Sequence, residues 1–169
     1  MWNLLFHALA AEASVMLYDG SPFAREADIL FEYAQRERFS HFGTSAKFID
    51  AVAKRGLKPR ERYALPGLRM IVAHLGAGEF AQFLHLVQAR PYTWLDTTMG
   101  LTDFMQRLRL YPPDLLPDLR ALSSEGRVLF GSDYPNIPYP FAHQVEVLAD
   151  HGLDMPEVLW HAPLRLFGS

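Results

Sequence analysis

The chain has 169 residues, half of them hydrophobic and 21% charged, which leaves room for one ordinary domain or two partial ones and a buried core. A formal net charge of −3 gives no electrostatic basis for binding nucleic acid or an anionic membrane surface. The absence of cysteine excludes disulfides and thiolate metal sites and suits a reducing cytoplasm.

The first stretch, MWNLLFHALAAEASVMLY, is apolar but lacks a basic leader region, and Asn3, His7 and Glu12 interrupt any spanning run. A soluble, cytoplasmic chain is the expectation. Residues 1–13 predict a helix with Leu5, Leu9 and Ala13 on one face. SVMLY (14–18) predicts a buried strand, stopped by the turn chemistry of DGSP. Residues 26–38 predict a helix whose stripe is Leu30, Tyr33 and Ala34. FSHFG (39–43) predicts a short strand, and 45–55 a helix ended by Gly56. LKPRERYALPG then forms a polar, proline-bearing connector; its cationic residues read as a solvated surface.

RMIVAH (69–74) predicts an apolar strand. Residues 79–89 predict an amphipathic helix, with Phe80, Phe83, Leu84 and Val87 at i, i+3, i+4, i+7 spacing. YTWLD (92–96) is the next strand, TTMGLTDF a loop, and 113–122 a short helix opened by proline. RVLFG (127–131) is another strand, and helices over 141–151 and 156–167 close the chain. Short apolar strands alternating with amphipathic helices specify an α/β fold built from parallel βα units. In such folds ligands sit at the carboxyl ends of the strands, where His74, Asp96 and Asp133 fall.

An imidazole at such a strand end is a good zinc ligand, and a carboxylate there can hold a metal or take a proton from metal-bound water. Gly76, Ala77 and Gly78 after His74 permit close approach of backbone or ligand. Each candidate has a plainer reading. His74 would be a buried, hydrogen-bonded histidine, and Asp133 a turn aspartate before Tyr134 and Pro135. Asp96 and Thr97 read as a strand-end cap. Trp94, Phe130 and Tyr134 read as core or pocket wall, and His41 and His85 as structural or surface residues.

Four motifs in order, RMIVAHLGAGEF, YTWLDTTM, RVLFGSDYPNIPYPF and LWHAPLRLFG, resemble the C-terminal part of the amidohydrolase-related family. These are metal-dependent (β/α)8-barrel hydrolases and decarboxylases. The resemblance covers residues 68–168. It implies the last units of a TIM barrel, a divalent metal (zinc first), a small-molecule substrate, and His74 and Asp133 as metal-binding and catalytic positions. The family's H-x-H pair has no counterpart, since histidine occurs only at 7, 41, 74, 85, 143, 151 and 161. His161 also stands where family members often have asparagine. A complete barrel of this kind takes about 250 residues. Incompleteness and weak or no activity alone are therefore expected.

The N-terminal third differs. LYDGSPF and FGTSAKFI, within residues 1–69, resemble the middle of acetoacetyl-CoA synthetase, an adenylate-forming ligase, and imply a βαβ section of its large domain. The phosphate loop, the acidic motif and the catalytic lysine of such ligases have no counterpart. The Gly43–Lys47 stretch lacks the glycine spacing of a phosphate loop. The expected organisation is a chimera, with a ligase-like segment over 1–67, an amidohydrolase segment over 68–169, and a start at an internal methionine of the ligase motif. Alternatives are a non-catalytic remnant, or a ligase fragment that binds adenylate or acyl-CoA. An opened barrel would expose sheet edges and invite self-association.

Overall fold

Alternating apolar runs and capped helices need a sheet to pack on, and in this chain the sheet lies in the second of two units. A computed structural model describes residues 12, 14–44, 46–135 and 137–167. One unit holds the described residues through Phe39 together with Gly43–Gly67; the other holds Ser40–Phe42 and the described residues from Leu68 onward.

In the first unit the stripe predicted over 26–38 forms two helices, α1 (Ala24–Ala27) and α2 (Ile29–Arg36), which meet at Asp28. Asp28 is held by Arg62 at 2.5 Å. Helix α3 (Ala46–Lys54) ends as expected, with Gly56 in the left-handed region at φ 68°. The connector contains a further turn, α4 (Pro59–Arg62), with proline at its start. Ala34, Phe48 and Val52 are buried, and the Phe48 ring lies 5.8 Å from those of Phe23 and Phe31.

Two strand expectations fail here. Residues 14–18 are irregular, and Leu17 is 75% exposed. An apolar run becomes a strand only against a hydrogen-bonding neighbour, and no strand pairs within the described part of this unit. Residues 39–43 form only a single parallel bridge, His41 to Arg69. The helix expected over 1–13 lies outside the described residues, apart from residue 12.

The second unit is a three-stranded parallel sheet in the order β1 (Met70–Val72), β2 (Thr93–Asp96), β3 (Val128–Leu129). Ile71 pairs with Trp94, Val72 with Leu95, Leu95 with Val128 and Asp96 with Leu129. Between β1 and β2 runs α5 (Phe80–Ala89), as its spacing predicts, burying Phe80, Leu84 and Val87. Between β2 and β3 run α6 (Asp103–Arg107), inside the stretch expected to be loop, and α7 (Leu116–Ser124) behind a short 3-10 turn at Pro113–Leu115. Helix α8 (Phe141–Asp150), a wide turn at Glu157–His161 and α9 (Ala162–Phe167) follow β3.

The strand alternation assigns the two faces. Val72, Leu95 and Val128 point into the main core with residues of α5, α7 and α8. Ile71, Trp94 and Leu129 point the other way and pack against Ala162 and Leu166 of α9. The strands are shorter than their apolar runs: β1 stops at Val72, before Ala73 and His74. The observed class is the expected α/β, with a small parallel sheet.

Candidate functional site

Beyond β1 the backbone leaves the strand through consecutive left-handed residues: His74 (φ 56°), Leu75 (φ 52°) and Gly76 (φ 81°). Side-chain-bearing residues adopt this region at a cost, so something must hold them there. Leu75 is fully buried in the main core. The His74 carbonyl accepts the Tyr111 hydroxyl at 2.9 Å. Tyr111 is itself buried against Phe80, and burial pushes its phenol up to about 12, so it stays a donor.

The imidazole of His74 is fixed on its other side. Nδ1 lies 2.9 Å from the carbonyl oxygen of Thr98. A carbonyl can only accept, so Nδ1 carries the proton and Nε2 is the acceptor nitrogen of the neutral ring. This arrangement, a histidine oriented by a backbone carbonyl, is also the one that metal-binding histidines use.

Strand β2 ends at Asp96, on the face that carries Ile71 and Trp94. Its Oδ1 accepts the amide N–H of Thr98 at 2.6 Å, closing an Asx turn. Burial pushes the Asp96 carboxyl above the usual aspartate range. Hydrogen bonds from Thr98 and the positive character of His74 oppose that shift, and the Asp133 charge adds to it. Asp96 therefore feels both sequence-predicted residues electrostatically. The plainer reading of Asp96 as a strand-end cap holds locally, but the same carboxyl lies within reach of the other two groups.

Beyond β3 the chain passes through Gly131, whose amide donates to Thr97 Oγ1 at 3.1 Å. A methyl group on Gly131 would stand 2.6 Å from Asp96 Oδ1 and also strike Thr98 Oγ1. Glycine is required here because the chain just beyond β3 crosses directly over the Asp96–Thr98 turn. Asp133 follows, exposed and left-handed at φ 53°, and leads into a cis Tyr134–Pro135 bond.

The structure thus brings His74, Asp96 and Asp133 to the carboxyl end of one sheet. Thr98, Gly131 and Tyr111 complete the surroundings, and none of these three stood out in the sequence. Asp96-Thr97-Thr98 carried a usable signal, an Asx-turn pattern directly after a strand. Tyr111 carried none, because its role depends on a contact across 37 residues.

The remaining candidates have structural settings. His41 stacks on Phe167 at 5.0 Å, and its imidazole is pushed down by burial and then by Arg69. His85 is exposed on α5 beside Gln88, and His161 is exposed. Trp94 donates its indole N–H to the Gly126 carbonyl at 3.0 Å. A cleft of about 310 Å³ lies at the opposite, amino end of the strands, lined by Arg69, Trp94, Arg127 and Arg165 among others. Its guanidiniums are tied down: Arg127 to the carbonyls of Val87, Arg90 and Thr93, Arg69 to that of Leu166, and Arg165 to Glu157.

Residues 64–168 match the sequence profile of the amidohydrolase family. The chain belongs to this family. Its N-terminal part is similar to a second group of proteins over 73 residues, 43% of the chain. The acetoacetyl-coenzyme A synthetase of Rhizobium meliloti (strain 1021) is 51% identical there. Those of Gallus gallus and Danio rerio are 40% and 38% identical. The chain spans only 11% of the length of these relatives. No solved structure matches. Both halves of the expected fusion are thus supported, an amidohydrolase part preceded by a stretch like acetoacetyl-CoA synthetases.

The family commonly uses a divalent metal, which the donors among the described residues do not fit. Among the described residues no group of three or more His, Asp or Glu side chains could hold a metal ion, whereas a catalytic zinc takes three protein ligands. Among the described residues, too, no helix is long and apolar enough to cross a membrane.

Proposed function

We propose that the chain is a segment of an amidohydrolase-type hydrolase or decarboxylase, with His74 and Asp133 at the reacting end, and that alone it has weak or no activity. The observation that carries this reading is the placement of His74, Asp96 and Asp133 beyond three successive, adjacent parallel strands within the family-matched region. Adjacent parallel strands joined by helices are the arrangement that consecutive units of a (β/α)8 barrel would have, and three such units could not close one. Small-molecule substrates enter such sheets at this end. His74 would hold a reacting water or hydroxyl by accepting its O–H at Nε2, and Asp133 would act as general base on a proton of that same oxygen. The incomplete donor set is why activity is expected to be weak, and no step here depends on a bound metal.

The test is elemental analysis of the purified chain, wild type and Asp133→Ala, after incubation with zinc or manganese and desalting. Well under one metal per chain in both is the expected result. Near-stoichiometric metal in the wild type, lost in the variant, would overturn the reading of an incomplete site.

The similarity of the N-terminal part to acetoacetyl-CoA synthetases supports a second reading, a ligase-derived segment joined in frame. A tenth of a ligase without its phosphate loop has no means of activating a carboxylate. Calorimetry with ATP and with CoA should give no saturable heat; a binding isotherm for either would favour the ligase-fragment alternative.

A further inference from the structure

Three groups to which the proposed function gives no chemical role, Asp96, Thr98 and Gly131, are linked to His74 through Thr98. The contacts form a chain with a direction. Asp96 accepts the Thr98 amide at 2.6 Å, and the Thr98 hydroxyl donates to the same carboxyl. The Thr98 carbonyl, on the far side of that residue, accepts from His74 Nδ1 at 2.9 Å. Asp96 anchors Thr98 by both its amide and its hydroxyl, so the Thr98–Met99 peptide plane that carries this carbonyl starts from a fixed residue. Gly131 packs against both Asp96 and Thr98, leaving the carboxyl no room to swing away. The Tyr111 hydroxyl pins the His74 carbonyl, so the ring rather than the backbone would move if the turn relaxed.

We propose that Asp96 is a positioning residue: acting through the Thr98 turn, it holds His74 as the Nδ1–H tautomer and keeps Nε2 as the acceptor at the reacting end of the sheet. The proposal rests on the reading of His74 as the imidazole of the site, but its test does not require catalysis. Free histidine in water favours the opposite, Nε2–H tautomer. The bias toward Nδ1–H must therefore come from the Thr98 carbonyl, and its geometry from Asp96.

The tautomer is read directly by long-range proton–nitrogen correlation spectra of the 15N-labelled full chain, at a pH where the imidazole is neutral. Wild-type His74 should show predominantly the Nδ1–H pattern. In Asp96→Asn the amide oxygen still accepts the Thr98 N–H, and the pattern should persist. In Asp96→Ala the ratio of Nδ1–H to Nε2–H should fall by about fivefold, as expected for losing the geometry of one hydrogen bond. Should Asp96→Ala fail to fold, Gly131→Ala is the second probe: its methyl presses on the same turn and should shift the ratio the same way. An Nε2–H wild type, or a ratio unchanged in both Asp96→Ala and Gly131→Ala, would overturn the proposal. Near-stoichiometric metal in the wild type would defeat only the proposed reading of an incomplete site, whereas the tautomer pattern and its response to Asp96→Ala decide the positioning role by themselves.

Discussion

Gly76→Ala tests the geometry of the site loop most directly. Gly76 is buried and left-handed at φ 81°, and an added Cβ would stand 2.6 Å from Phe83 Cδ2 and 2.8 Å from its Cβ. Rotating the ring relieves the first contact but not the second, because Phe83 Cβ is fixed by the backbone of α5. Two costs add. Holding alanine in the left-handed region costs about 1 kcal/mol, and overpacking the contact adds about 1–3 kcal/mol. The sum is about 2–4 kcal/mol, a large share of the roughly 5–15 kcal/mol that holds a domain together. Urea unfolding followed by tryptophan fluorescence should show a lower midpoint with an unchanged slope. Gly78→Ala is the internal control, since nothing lies within 4 Å of its added methyl, and it should stay within about 0.5 kcal/mol of wild type. Equal stabilities for the two variants would refute the loop geometry.

Asp96→Asn should stabilise the chain at neutral pH, because burial raises the Asp96 carboxyl and its ionisation therefore opposes folding. Below its ordinary value of 3.8 the carboxyl is protonated in folded and unfolded chains alike, so the advantage should vanish as pH falls through that value and grow as pH rises above it. Thermal melts across that range check the sign; an advantage that grows toward acid would contradict it. Arg127→Met removes the donors to the carbonyls of Val87, Arg90 and Thr93 at the amino end of β2, and should cost about 1–3 kcal/mol in the same urea assay. An unchanged midpoint would mean that water replaces the clamp without loss.

The legible parts of this chain were those that local pattern alone decides. Helix α5 appears where the spacing of Phe80, Phe83, Leu84 and Val87 places it, and β2 ends on Asp96 as its apolar run implies. Gly56 ends α3 for the reason that makes glycine readable, its tolerance of a left-handed backbone. SVMLY misled because β-propensity reports fitness for a sheet, and the sheet must be supplied by other strands. The break at Asp28 and the early end of β1 are equally non-local. The first coincides with the reach of Arg62 across 34 residues, the second with burial of Leu75 and the hydrogen bond from Tyr111. In the site, His74 and Asp133 were readable as residues at strand ends. Asp96 was readable only as a cap, because the His74–Thr98 contact that gives it a wider role joins segments 24 residues apart.

The sheet is insulated unequally. One side lies under a deep layer contributed by three long helices, while the other, where Asp96 sits, is roofed by Ala162 and Leu166 of a six-residue helix near the chain's end. So thin a roof can lift without melting the room beneath it. The amides of α9 should therefore exchange with solvent well before those of α5, and each lifting would bare Ile71, Trp94 and Leu129.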